Sequence, residues 1–172
     1  GSFAFSKINT LEVTLNNLAG TKKNVSGVAF TAAEVDVFVG YGNYFEDTDG
    51  DGDIDGDDER DPDAIGLAIE NTTFAFASFS PTAPAEKQIK YTSLKVTSDF
   101  VGLVGIDDFE LSATDAVVQM NRVKNPVNTS DVAVIDYTEL PSGSFTLDTG
   151  TSAVDFDFSD NFIQVRVGQG TL

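Results

Sequence analysis

Apolar side chains recur at every second residue along most of this chain, and that period leaves little choice of local structure. Leu11, Val13 and Leu15 alternate with polar residues, as do Phe145 and Leu147, and then Ile163, Val165 and Val167. A period of two lines one side of an extended strand, whereas a helix needs spacings of three and four. The residue types agree, since β-branched and aromatic residues dominate while Gly, Asp, Asn and Ser punctuate. The string AAEVDVF at 32–38 is too short and too β-branched to predict a helix. The chain reads as all-β.

A second pattern constrains how the strands lie. Two apolar residues at alternate positions are followed, after four intervening residues, by another such pair. Val28 and Phe30 precede Val35 and Val37, and Leu67 and Ile69 precede Phe74 and Phe76. The same spacing links Leu94 and Val96 to Val101 and Leu103, and Phe109 and Leu111 to Ala116 and Val118. The step between halves is odd, so a bend, bulge or turn must intervene if both halves are to face one core. The copies begin at 28, 67, 94 and 109, so their spacing shrinks where a β-solenoid would keep it constant. The expectation is an antiparallel β-sandwich or meander of bent strands, with a β-solenoid as the alternative. Residues 1–172 read as one domain, with a soft boundary near residue 125 and an acidic insertion at 46–63.

Composition excludes many activities. Among 172 residues there is no His, Cys or Trp, which removes disulfides, thiol nucleophiles, His-based triads, zinc sites and haem ligation. A net charge of −18 repels phosphate backbones and anionic lipid, so neither nucleic acid nor a membrane surface is an expected partner. No apolar run is long enough to span a bilayer as a helix. Cations are the natural ligands of such a surface.

The charge is concentrated. Residues 46–63 read EDTDGDGDIDGDDERDPD and hold 11 of the 28 acids with one base, Arg60. Such runs are commonly solvated loops, but the spacing here is that of a calcium loop. Asp47, Asp49 and Asp51 fall at positions 1, 3 and 5, with Gly52 at the turn position 6. Asp53 stands at position 7, where only its carbonyl is needed, Asp55 at 9 and Asp58 at 12. Calcium is a hard cation that takes six to eight oxygens, and alternate residues of a tight coil can point inward together. Position 12 departs from the usual bidentate Glu, and neither flank reads as a long amphipathic helix. The segment therefore resembles the EF-hand-like loops of dockerins and thrombospondin type 3 repeats more than a helix–loop–helix sensor. Asp57, Asp61 and Asp63 are candidates for a second ion.

Residues 101–121, VGLVGIDDFELSATDAVVQMN, resemble a module repeated in giant calcium-dependent adhesin-like proteins of bacterial surfaces. VDVFVG, ending at Gly40, and the stretch from VIDYTELPSG to the terminal VGQGTL follow in the order of such a repeat. The likeness covers roughly residues 9 to 172. It implies a large extracellular or cell-surface protein built of similar units, and it implies no catalytic residues. Strand-like segments run close to both ends, GSFAFSK and IQVRVGQGTL, and are expected to pair with adjacent copies or identical subunits.

Other constellations are weaker. Asp107 and Asp108, or Asp155, Asp157 and Asp160, are candidates for a glycosidase pair. In VDFDF, however, Val154, Phe156 and Phe158 alternate with Asp155 and Asp157, as on a strand with one wet side. The chain is expected not to be an enzyme. The rival function is calcium-dependent binding of glycans or a host surface protein, for which Tyr41 and Tyr44 beside the acidic run are the aromatic candidates.

Overall fold

The computed structural model describes all residues except 49, 53–57, 107–109 and 172. Strands β1 (Ser2–Leu15) and β2 (Lys22–Tyr41) are followed by a two-residue pair, β3 (Phe45–Glu46) and β4 (Glu59–Arg60). Three more long strands come next: β5 (Ile65–Pro81), β6 (Lys90–Val104) and β7 (Leu111–Lys124). Short elements complete the chain: β8 (Ile135–Asp136), a 3₁₀ turn (Tyr137–Glu139), β9 (Phe145–Asp148), β10 (Ala153–Phe156), β11 (Phe162–Arg166) and β12 (Gln169–Thr171). The long strands pair antiparallel in the order β7-β6-β5-β2-β1, with β8 on the far side of β1 and both β11 and β12 on β7. The result is an all-β protein, a meander whose curled sheet forms a half-barrel.

The bends that the odd step requires are present. Glu34, Asn71 and Asp115 adopt left-handed backbone, with φ of 56°, 45° and 51°. Each lies inside the step of one copy: Glu34 between Phe30 and Val35, Asn71 between Ile69 and Phe74, Asp115 between Leu111 and Ala116. In β6 the step holds Asp99, which lies opposite Asp115 between the pairs Ser98↔Ala116 and Phe100↔Thr114. The β2–β5 register shifts at the same level. One extra residue per strand restores the side-chain alternation that an odd step would otherwise reverse. Phe109 lies outside the described residues.

The pattern residues do share one face, but it is not the covered one. The core is built on the opposite face, where the sheet offers mostly small residues, Ala29, Ala75 and Ala77, beside Phe79 and Val25. Large residues come from the segment after β7: Ile135, Tyr137, Leu147 and Phe156 are all buried there. Tyr137 stands 5.5 Å from both Phe156 and Phe158, and Phe79 meets Phe145 edge-on at 5.6 Å. Each such ring adds roughly 1.5–3 kcal/mol of burial free energy. A polar pin fixes the lid, for the buried Asn121 accepts from Ser93 Oγ at 3.1 Å and donates to the Ile135 carbonyl at 2.9 Å. Ser93 Oγ also shares a 2.8 Å hydrogen bond with the Tyr137 hydroxyl. Residues on both sides of position 125 therefore contribute to one core.

On the uncovered face, strand register sets apolar residues side by side. Phe5, Phe30, Phe76, Leu94, Met120 and Ile163 form one row across six strands. A neighbouring row runs Phe3, Ala32, Phe74, Val96, Val118, Val165. Ring contacts of 6.3 Å for Phe3–Phe30 and 5.7 Å for Phe30–Phe74 confirm the common face.

Candidate functional site

The acidic run leaves the sheet between β2 and β5 and stands on an aromatic mount. Gly40 and Gly66 are register partners, and a Cβ on either would lie 2.6 or 2.8 Å from the Phe38 ring. Gly102 is likewise covered by the Phe100 ring, at 2.6 Å. The glycines let both rings lie against bare backbone on the core side of the sheet. Tyr44 then stacks on Phe38 at 5.0 Å and 13°, and Phe45 meets Tyr44 edge-on at 4.7 Å. Ala64 and Ala68 complete this second small core.

Polar contacts tie down both posts of the loop. The Tyr44 hydroxyl donates to Glu70, and the Arg60 guanidinium pairs with the other oxygen of the same carboxylate. Burial, reinforced by the bond to Glu70, raises the Tyr44 hydroxyl far above its ordinary pKa. Arg60 also sits 4.9 Å over the Phe100 ring, a cation–π contact. The Asp61 amide donates to the Tyr44 carbonyl at 2.9 Å, and Phe45↔Arg60 and Glu46↔Glu59 form the short ladder. The signal for this mount in the sequence is that Arg60 is the lone cation among eleven acids.

Above the ladder, carboxylates hold the two described ends of the run. Asp47 accepts from the amides of Gly50 at 2.6 Å and Gly52 at 3.1 Å. Gly50 and Gly52 have φ of 77° and 92°, the conformation expected of the turn glycine at position 6. Asp58 accepts from the Thr48 amide at 2.8 Å, which joins the two described ends. Asp47, Asp51 and Asp58 of the proposed ligand set are thus described, whereas Asp49, Asp53 and Asp55 lie outside the described residues. Of the second-ion candidates, Asp57 also lies outside them. Asp61 accepts from the Asp63 amide at 2.7 Å, in the turn leading into β5. Among the described residues, no three acids converge as a metal-holding group. The donor chemistry present is all carboxylate and carbonyl, which suits a hard cation.

The remaining candidates separate. Tyr44 is buried in the mount, while Tyr41 is 81% exposed at the end of β2. Asp155 and Asp157 lie on the wet side of the VDFDF segment, whose Val154 and Phe156 are buried. There Asp155 accepts from Thr146 Oγ1, and Asp157 pairs with Lys95 at 3.3 Å. Asp107 and Asp108 lie outside the described residues. No helix among the described residues is long and apolar enough to cross a membrane. Comparison with family models, curated proteins and solved structures gives no match to this chain.

Proposed function

We propose that residues 46–63 bind calcium and that the chain is a non-catalytic, calcium-stabilised structural or adhesive module of an extracellular bacterial surface protein or filament. The observation that carries this reading is the way Asp47 and Asp58 anchor the two described ends of the acidic loop. Both carboxylates already gather backbone amides, and the loop is clamped at its base by Tyr44, Arg60 and Glu70. Side-chain oxygens of Asp47, Asp49, Asp51, Asp55 and Asp58 and the carbonyl of Asp53 form the proposed donor set. Calcium removes the repulsion among these carboxylates and adds its binding free energy to the folded state. Weak extracellular sites have dissociation constants of about 0.1–1 mM, a range that calcium outside cells can fill.

The placement of the termini supports assembly with neighbours. β1 pairs with β8 only at Thr14 and Leu15, and the C-terminal β11 and β12 lie at the opposite edge of the sheet. Each edge is a template for strand addition between copies. Recognition of glycans or a host protein is the second reading, favoured by the exposed Tyr41 beside the loop; a glycan array with and without chelator separates the two.

The decisive test is thermal. Calcium at about 100 times its dissociation constant adds about 2.7 kcal/mol, a rise of several degrees in Tm over chelated protein. Asp47→Ala combined with Asp51→Ala abolishes the rise. A wild-type Tm that ignores calcium removes the structural role.

A further inference from the structure

We propose that the uncovered face of the sheet is a self-association surface on which a second copy of this chain packs face to face, related by a two-fold axis running along the apolar rows. In a chain with 28 acids, the two rows from β1 to β11 contain none. Their edge members are the most exposed, Phe5 at 69% and Ile163 at 63%, so the apolar surface continues to both edges of the sheet. Soluble monomers seldom expose so continuous a field.

The two rows are flanked by opposite charges, and beyond the acidic flank the same face continues with the exposed Val37, Val39, Leu67 and Leu111. On one side the next row runs from Lys7 through Val28, Ser78 and Thr92 to Arg122. On the other side stand the exposed bulge residues Glu34, Asp99 and Asp115. A two-fold axis along the rows lays each strand antiparallel over its own copy. The basic border of one protomer then meets the acidic border of its partner, and the apolar rows meet each other. Strand-aligned packing of this kind brings two sheets about 10 Å apart.

The area is sufficient. Six strands about 4.8 Å apart span about 29 Å, and about seven residues at about 3.3 Å span about 23 Å. That is about 670 Å² per partner and about 1,300 Å² in all, the lower end of specific interfaces. The expected assembly is a reversible dimer. It is distinct from strand addition at the edges, and it needs no calcium.

Sedimentation equilibrium in chelator, up to about 0.5 mM protein, tests this. Wild type is expected to dimerise, Phe5→Lys with Ile163→Lys to weaken dimerisation at least 100-fold with unchanged circular dichroism, and Leu18→Lys, at a fully exposed residue on the β1–β2 turn, to dimerise like wild type. The proposal is overturned by a wild type that stays monomeric throughout, whether or not its face takes up an apolar dye or lipid vesicles. It is equally overturned by a double variant that dimerises as wild type does, or by a Leu18→Lys chain weakened as much as the double variant.

Discussion

Tyr91 shows how a single buried side chain sets a limit on the conditions this fold tolerates. Its ring is out of solvent, and burial pushes the hydroxyl up to about 12, with the Asp131 and Glu86 carboxylates adding to the shift. The unfolded chain ionises at about 10, so between these values the native state holds a proton that the unfolded state has lost. The stabilisation is therefore complete below about pH 10 and disappears as pH rises through about 12, a loss of roughly 2–3 kcal/mol. Tyr137 is shifted in the same direction by its burial, so both act together. Tm measured from about pH 8 to about pH 12 is expected to stay level and then fall, and Tyr91→Phe is expected to flatten the fall. An unchanged Tm up to about pH 12 would show that these hydroxyls reach water in the folded protein.

At the scale of elements, the bends decide what the strands can do. The odd step predicts them from spacing alone, because alternation has a period of two and tolerates no remainder. At Asn71 and Asp115, though not at Glu34, the residue in the left-handed position follows from chemistry within the step. Asn and Asp reach positive φ at less cost than other residues with a Cβ, and Asn71 is held there by the Asp36 and Asp99 carboxylates, at 2.7 and 2.6 Å. Asn71→Val, β-branched at φ 45°, is expected to cost roughly 1–3 kcal/mol in urea denaturation. Asn71→Gly keeps the conformation and is expected to lose less. Equal losses in both would mean that the side-chain hydrogen bonds, rather than the backbone, hold the bend. The mount beneath the acidic run was harder to read. Its parts, Phe38, Glu70 and Phe100, come from three strands and acquire meaning only when register brings them under Tyr44 and Arg60.

At the scale of the whole molecule, charge and face burial pull against each other. Seventeen of the 28 acids lie outside residues 46–63, so self-repulsion is general as well as local. In chelator, raising salt from about 20 mM to about 0.5 M shortens the screening length from roughly 20 Å to about 4 Å. Tm is expected to rise by several degrees over that range, and by less when calcium is present. A salt-independent Tm in chelator would mean that the acidic run adds no strain to the native state.

Strand identity, the need for a bend in β2, β5, β6 and β7 and the glycine turn at Gly52 were determined by the sequence itself. Each rests on interactions between residues a few positions apart: side-chain alternation, steric limits on φ, and carboxylates accepting nearby amides. Tertiary structure alone decided which face of the sheet is the core. Both faces carry apolar residues, and the choice went to the side where small alanines leave room for Tyr137, Leu147 and Phe156 from a distant segment. The larger residues of the spacing pattern were left to face outward. Packing volume is a property of two surfaces brought together, and no local pattern in either one contains it.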